Sequence, residues 1–196
     1  MQEPNVTFFS YQTLVDRLAH AATHESKRIV FLLGSPVSAS IGGNPGVADV
    51  DGIVETIRCE FSEDENATSE FRSELERASA NAYQAAVNFL MGRRGQDAVN
   101  DLIRQSVLGA RINREAALSQ LKRATDPDAT AETIERDKDA WFIPPCLQDL
   151  ASLCVQFPKI FGEIQLTTNF DPLLTLALQK AGGHSYRSVL SKDGSL

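Results

Sequence analysis

The sequence predicts an α/β fold in which a parallel sheet is flanked by helices and interrupted by a long helical insertion. Two segments support this prediction, residues 31–38 near the start of the chain and residues 166–172 near its end. Each is typical of a short buried strand that runs into a loop and then into a helix. Because the strand-to-helix loops of an open α/β sheet meet at one edge, where ligands bind, the two loops are expected to face one pocket.

The N-terminal part predicts a helix, a strand, a glycine-rich loop and a second helix. Apolar residues recur at helical spacing over residues 11–23, and the next apolar run, 29–33, is short and rich in β-formers. Residues 34–46 contain four glycines and two prolines, which is the composition of a loop. Asp51 is then expected to cap a helix that runs through Ile57.

The middle of the chain, about residues 62–145, predicts a helical insertion without a chemical motif. A polar, acidic stretch opens it at 62–70, and from 71 to 89 apolar residues recur in steps of four and three. That spacing is typical of one amphipathic helix. Both an oligomer interface and a lid are compatible with such an insertion.

The second half of the insertion is expected to hold one more helix and a linker. The helix is predicted over residues 97–112, with Ile103 and Val107 on its apolar side. The polar segment at 125–139 is interpreted as including the linker, and a mobile one.

The C-terminal part returns to α/β order. A helix is predicted over residues 145–157 and a strand over 163–168. Asp171 stands before a proline, a strong signal for the start of a helix, and a pair of glycines ends that helix at 182–183. Residues 186–190 are a candidate for one more strand.

The composition bounds the class of protein. The chain has 196 residues, of which 42% are hydrophobic and 23% charged, enough for one sizeable core. A net charge of −7 argues against a stand-alone nucleic-acid binder, since that task needs concentrated Lys and Arg. No apolar run approaches the roughly 20 residues that cross a bilayer, and the N-terminus lacks a signal-peptide pattern. We therefore expect a cytoplasmic protein with no membrane contact.

Neither the cysteines nor the histidines predict a metal site. Cys59, Cys146 and Cys154 are widely spaced and include no Cys-x-x-Cys pair. Cys154 falls on the apolar face of its predicted helix and is expected to be a small core residue. His20 and His24 stand four residues apart, but no third ligand is near, so surface solvation is the better account.

The first loop supplies groups that suit a phosphate. Gly34 follows the predicted strand directly, and the hydroxyls of Ser35 and Ser38, with the backbone N–H groups around them, can donate to pyrophosphate oxygens. The next helix begins too late for the compact three-glycine fingerprint of the dinucleotide-binding dehydrogenases. On the residues alone, a loop with a purely structural role is an equal alternative.

The second loop offers an amide and a carboxylate. Asn169 follows Thr168 at the carboxyl end of the predicted strand, and its side chain both donates and accepts, which suits a ribose hydroxyl and an attacking water. Asp171 is first a candidate helix cap and second a ligand contact, and the two roles are compatible. His184 follows a whole helix later, is expected at the opposite edge of the sheet, and is a poor candidate for a general base.

Taken together, residues 34–38 (Gly-Ser-Pro-Val-Ser) and 167–171 (Thr-Thr-Asn-Phe-Asp) resemble two loops of the sirtuin-like NAD-binding domain, a Rossmann-like fold. Residues 45–47 and 51–53 resemble the family's loop after its first strand. The resemblance implies a catalytic role for one residue of the second loop, Asn169. It also implies contacts with NAD at Gly34, Ser35, Ser38, Asp51, Thr168 and Asp171.

The resemblance covers nearly the whole chain outside the insertion, with a domain core at about 1–61 and 146–196. It is closest to a bacterial antiphage subgroup, whose sirtuin-like domain hydrolyses NAD to ADP-ribose and nicotinamide. Such domains are commonly the N-terminal effector of a larger protein. The resemblance therefore implies NAD as substrate, a homo-oligomer, and a sensor such as a STAND-type NTPase as partner.

Three departures from the family pattern shape these expectations. The usual Gly-Ala-Gly is here Gly34-Ser35-Pro36, which replaces a flexible position by a rigid one. The cysteine pairs that hold zinc in protein-deacylating sirtuins are missing, which favours NAD hydrolysis and leaves deacylation a distant third. The family's catalytic His follows the Asn on a later strand, beyond Leu196, so the chain is expected to be a fragment. The main alternative is a non-catalytic module that binds NAD or ADP-ribose and regulates assembly.

Overall fold

The computed structural model describes residues 10–24, 28–78, 81–186 and 188, with backbone alone at 127 and 128. These residues form a mainly helical chain with one small sheet. The strands are β1 (Phe31–Leu33) and β2 (Gln165–Thr167). The helices are α1 (Tyr11–His24), α2 (Val50–Glu60), α3 (Glu65–Ala78), α4 (Ala82–Arg94), α5 (Gln96–Leu108), α6 (Arg114–Lys122), α7 (Pro127–Arg136), α8 (Pro145–Gln156), α9 (Pro158–Phe161) and α10 (Leu173–Lys180).

The sheet consists of β1 and β2, which pair in parallel. Phe31 lies opposite Gln165, and Leu33 lies opposite Thr167. Parallel neighbours need a long crossover, and here helices α2 to α9 provide it. Both predicted strands are present, each shorter than expected, so the coarse α/β prediction agrees with the structure.

The two faces of the sheet differ in exposure. Leu33 is buried in the core, and the ring of Phe31 packs against that of Phe161 with centroids 6.1 Å apart. On the other face, Leu32 is 74% exposed, and its register partner Leu166 is also exposed. Parallel strands are ordinarily covered on both faces. The described residues therefore bury this sheet on one side only.

The larger hydrophobic cluster lies against the buried face of the sheet. Its fully buried members include Leu147 of α8, Phe161 of α9 and Leu173 of α10. Full burial of such a side chain contributes about 1.5–3 kcal/mol of transfer free energy. Residues that follow α5 also join this cluster: Ala117 of α6, Ile134 of α7 and Trp141.

The second hydrophobic cluster is formed by α2 to α5. The ring of Phe89 contacts those of Phe61 and Phe71, in each case with centroids 5.2 Å apart. Buried Ile57 of α2 and Leu90 of α4 complete its centre. Packing therefore crosses the predicted limits of the insertion: α2 belongs with this cluster, and α6 and α7 belong with the main core.

The apolar stripe predicted as one helix over residues 71–89 is two helices. α3 ends at Ala78 and α4 begins at Ala82. The spacing is preserved across the break because both helices pack into the same cluster. Asn81, at the break, is a residue that disfavours helix interiors.

The structure refines one more prediction, at 125–139, and corrects another, at the start of α2. The segment at 125–139 is mainly helix, because α7 occupies most of it and Asp126 accepts a hydrogen bond from the Ala129 N–H at 3.0 Å. Helix α2 is capped by Asp49, which accepts from the Gly52 N–H at 2.8 Å, so Asp51 is not the cap. Asp51 instead lies in the first turn, where a carboxylate is favourable to the helix dipole.

The end of α10 is as predicted. The helix stops at Lys180, and Gly182 has a φ of +85°, a left-handed conformation that favours glycine. The strand predicted at 186–190 falls largely outside the described residues.

Candidate functional site

The first loop leaves β1 at Gly34 and turns at once. Ser35–Val37 forms a single 3-10 turn, which the rigid ring of Pro36 suits. Ser38 is then 1% exposed, and its carbonyl oxygen accepts from the Val47 N–H at 2.8 Å. The loop thus folds back on itself and fixes Ser38 at the edge of the sheet.

Gly46 holds the far side of this loop against α5. Its N–H donates to the carbonyl oxygen of Gly109 at 3.1 Å, and the Ala48 N–H donates to that of Ser106 at 3.4 Å. A Cβ at Gly46 would lie 2.1 Å from the nitrogen of Ser40. The close approach of two backbones therefore requires glycine here.

The second loop continues the strand pairing and then starts α10. The Thr168 N–H donates to the carbonyl oxygen of Leu33 at 3.1 Å, one residue beyond β2. Asp171 is buried, and its Oδ1 accepts from the Leu173 N–H at 3.0 Å. Asp171 therefore satisfies the first N–H of α10, but the N-cap is Pro172 and the helix begins at Leu173, so the predicted N-cap at Asp171 is one residue too early.

Asn169 joins the two loops. Its Nδ2 donates to the carbonyl oxygen of Gly34 at 3.2 Å and to the Oγ of Ser38 at 3.0 Å. Both bonds use the amide nitrogen, which leaves Oδ1 as the side-chain atom that can accept from a ligand. The sequence offered no structural role for Asn169, and the structure gives it one: it ties together loops 135 residues apart.

A cavity of about 300 Å³ opens beside this junction, and we call it the first cavity. The two loops form part of its wall, and helices α2, α4 and α5 form the rest. Hydroxyl, amide and carboxylate groups come mainly from the loops, while aliphatic and aromatic groups come mainly from the helices. Small-molecule sites have this combination. The lining residues are Ser35, Ser38, Val47, Ala48, Val50, Ile53, Tyr83, Ile103, Ser106, Val107, Thr168, Asn169, Phe170 and Asp171.

A second cavity of about 350 Å³ adjoins the first. The two share Val47, Ala48 and Ser106 in their walls. Arg114, exposed at the start of α6, brings a positive charge to the second cavity. The other polar side chains there are Ser40, Asp49, Thr56 and Gln105.

Most of the residues proposed from the sequence meet at the first cavity. Its lining includes Ser35, Ser38, Thr168, Asn169 and Asp171. The backbone of the remaining loop residue, Gly34, contributes through its carbonyl oxygen, which accepts from the second loop.

Asp51 does not join this set and lines neither cavity. The reason is the start of α2 at Val50, two residues earlier than a cap at Asp51 would give. Asp49 takes the capping position, and Asp51 becomes an exposed residue of the first turn.

No histidine or cysteine of the described residues lines the first cavity. His184 is exposed beyond α10 and does not line the first cavity. Burial raises the pKa of the Cys154 thiol, which donates to the carbonyl oxygen of Phe161 in the main core, so the predicted core role of Cys154 is confirmed. Among the described residues, no group of three or more His, Cys, Asp or Glu side chains is arranged to hold a metal ion.

Nine lining residues were not predicted as site residues, among them Tyr83, Ile103 and Val107. The last two were placed on an apolar helix face without a function. The predicted stripe placed Ala82, Ala85 and Phe89 on the apolar face of α4 and left out Tyr83. The buried face of α4 is centred on Ala86 and Leu90, and Tyr83 lies three residues before it on the same side.

Comparison with protein-family models, with curated proteins and with solved structures finds no match to this chain. None of the helices in the described part of the chain has the length and apolar character needed to span a membrane. Functional inference therefore depends on the geometry of the two loops and the cavities beside them.

Proposed function

We propose that this chain is the NAD-binding part of an effector that hydrolyses NAD to ADP-ribose and nicotinamide in bacterial antiphage defence. One observation carries the proposal: Asn169, at the carboxyl end of β2, hydrogen-bonds to the first loop beside a cavity with polar and apolar sides. A nucleoside, with a sugar and an aromatic base, needs both. The resemblance of the two loops to the sirtuin-like domain favours NAD among the nucleotides.

A Rossmann-like sheet is part of this proposal. β1 and β2 are parallel neighbours, and both ligand loops leave from their carboxyl ends. Ligands of open α/β sheets bind at that edge. The two strands would be neighbours within the larger sheet.

The electrostatics of the first cavity favour the nicotinamide end of NAD. The carboxylate of Asp171 is the charged group in its lining, and the other polar side chains there are neutral. The nicotinamide ring of NAD carries a positive charge, which a buried carboxylate attracts. The Oδ1 of Asn169 would accept from a ribose hydroxyl or from the attacking water, and the hydroxyl of Ser35 would donate to ribose or phosphate.

The proposed reaction breaks the bond between ribose C1′ and the nicotinamide nitrogen, and both electrons leave with nicotinamide. Water adds to C1′ and loses a proton, so the products are ADP-ribose, neutral nicotinamide and one proton. Positive charge moves onto the ribose as the bond lengthens, in an oxocarbenium-like transition state. Asp171 would stabilise that charge.

The second cavity would take the remainder of the dinucleotide. A volume of about 300 Å³ is at the lower limit for small-ligand sites, so the first cavity suits half of NAD better than all of it. The adjoining cavity adds about 350 Å³. The guanidinium of Arg114 in its lining is suited to a phosphate.

A non-catalytic module that binds NAD or ADP-ribose is the second candidate. The amide of Asn169 is committed to holding the loops together, and no histidine of the described residues lines the first cavity. In this form the occupied pocket would regulate assembly of a larger defence protein.

The setting implied by the resemblance is also part of the proposal. The chain would act in the cytoplasm, as a homo-oligomer, with a sensor such as a STAND-type NTPase on the same polypeptide. The three cysteines are unpaired, which is the usual state in a reducing compartment.

The test is to mix the purified chain with NAD and to measure binding by calorimetry and nicotinamide release by chromatography. Binding with release supports the hydrolase, and binding without release supports either the module or a hydrolase domain that lacks its catalytic His. Ser35→Ala, at an exposed position of the cavity wall, is expected to weaken NAD binding about two- to tenfold through one lost hydrogen bond. Ser152→Ala, on the exposed side of α8, is the matched control. Absence of NAD binding by the wild-type chain contradicts both forms of the proposal.

A further inference from the structure

We infer that Tyr83, from the helical insertion, selects the aromatic base of the ligand by packing against the nicotinamide ring of NAD. This inference rests on the proposed function. Tyr83 lies in the first turn of α4 and lines the first cavity together with Ile103 and Val107 of α5. The insertion would thus supply the base-binding wall, and the two loops would supply the sugar-binding wall.

Tyr83 differs from the core residues of its own helix. It is half-buried and belongs to neither hydrophobic cluster. Ala86 and Leu90, three and seven residues later, are fully inside the second cluster. The same face of α4 therefore runs from the cluster to the cavity, and Tyr83 is its last large side chain. Among the hydrogen bonds within the described ranges, none uses the Tyr83 hydroxyl.

The chemistry of this wall fits a flat, positively charged ring. Ile103 and Val107 offer aliphatic surface, and Tyr83 offers an aromatic face. A cation over such a face is attracted by the ring quadrupole. In NAD the nicotinamide ring is cationic, and after cleavage it is neutral. The wall would therefore hold the substrate more tightly than the products, which favours release of nicotinamide.

The experiment compares two ligands by calorimetric titration of the whole chain. NAD carries the nicotinamide ring, and ADP-ribose lacks it. Tyr83→Leu keeps an apolar side chain without a ring and is expected to lower NAD affinity about three- to tenfold. Its affinity for ADP-ribose should stay within about twofold of the wild-type value. Tyr83→Phe, which keeps the ring, should bind both ligands normally, as should the control Tyr11→Leu, at a position 81% exposed on α1.

Each outcome decides the inference. An equal loss for both ligands in Tyr83→Leu overturns it, because the side chain would then shape the whole pocket. Unchanged NAD affinity also overturns it. If wild-type chain binds neither ligand, the proposed function fails, and the inference fails with it; if wild-type binding is intact, only the inference is at stake. Thermal melting checks that each variant folds, and Tyr83→Met, which retains good helix propensity, replaces Tyr83→Leu if that variant does not fold.

Discussion

Replacing Asn169 by alanine is expected to destabilise the folded chain, apart from any effect on a ligand. The substitution removes the hydrogen bonds from Nδ2 to the Gly34 carbonyl oxygen and to the Oγ of buried Ser38. A neutral hydrogen bond contributes about 0.5–1.5 kcal/mol net, so the free energy of unfolding should fall by about 1–3 kcal/mol. For a chain of this size, that loss lowers Tm by about 2–12 °C.

Urea unfolding measures this loss through the fluorescence of Trp141, the single and buried tryptophan. Ser38→Ala and Asn169→Ala, made singly and together, form a double-mutant cycle. The bond between the two side chains predicts a coupling energy of about 0.5–1.5 kcal/mol. Asn88→Ala, at an exposed position on α4, is the control and should change stability by less than about 0.5 kcal/mol.

Two results would refute the reasoning. If the effects of the two substitutions simply add, Asn169 and Ser38 do not interact. If Asn169→Ala is as stable as the wild-type chain, this side chain does not join the loops. In that second case, any loss of NAD binding in Asn169→Ala would be assigned to direct contact with the ligand.

The remaining predictions concern packing, backbone contact and a buried thiol. Leu33→Ala should lower the free energy of unfolding by about 2–4 kcal/mol because the side chain is buried. Leu32→Ala, at a side chain that is 74% exposed, should lower it by less than about 1 kcal/mol. Equal losses in urea unfolding would contradict the difference in burial between the two faces of the sheet. Gly46→Ala should lower Tm, because the new Cβ would clash with the backbone of Ser40. Gly92→Ala, at a position of α4 where a Cβ meets no neighbour, should instead raise the free energy of unfolding by about 0.5–1 kcal/mol. An unchanged Tm in Gly46→Ala would contradict the close approach. Cys154 should react with a thiol reagent only after unfolding. Burial raises the pKa of the Cys154 thiol, so the unfolded chain loses the thiol proton at a lower pH than the folded chain. The free energy of unfolding should therefore fall as pH rises above about 8.5. The same dependence of stability on pH in a Cys154→Val chain would argue against this.

The parts of the fold that position the site follow from local signals. The runs ending at Leu33 and at Thr167 are short, rich in β-formers and followed by turn residues, so both strands could be recognised from sequence. A crossover too long for a hairpin allows parallel pairing, and the observed parallel pairing brings Gly34 and Asn169 to one edge. The prediction that two loops would meet at a cavity needed no side-chain geometry.

The remaining features depended on tertiary packing. A stripe shared by two helices looks like one helix when both pack into the same cluster, so the break before α4 was missed. A shift of two residues decided which carboxylate, Asp49 or Asp51, caps α2. The predicted stripe on α4 likewise left Tyr83 out of the predicted site. Periodicity locates a helix more reliably than it orients each side chain, because neighbouring positions differ by 100° around the axis.

The double attachment of Asn169 affects how any loss of function at this position is interpreted. Its amide nitrogen holds the pocket together, and its Oδ1 is the atom that would face ribose or water. An inactive Asn169→Ala chain therefore does not separate a collapsed pocket from a missing catalytic contact. Asn169→Asp separates them: it keeps an oxygen and the size of the side chain, and it can still accept from the Ser38 hydroxyl, but it cannot donate to the Gly34 carbonyl. If Asn169 acts through Oδ1, NAD binding should survive in the aspartate variant and fail in the alanine variant. If the residue acts only by joining the loops, both variants should lose binding in proportion to their loss of stability.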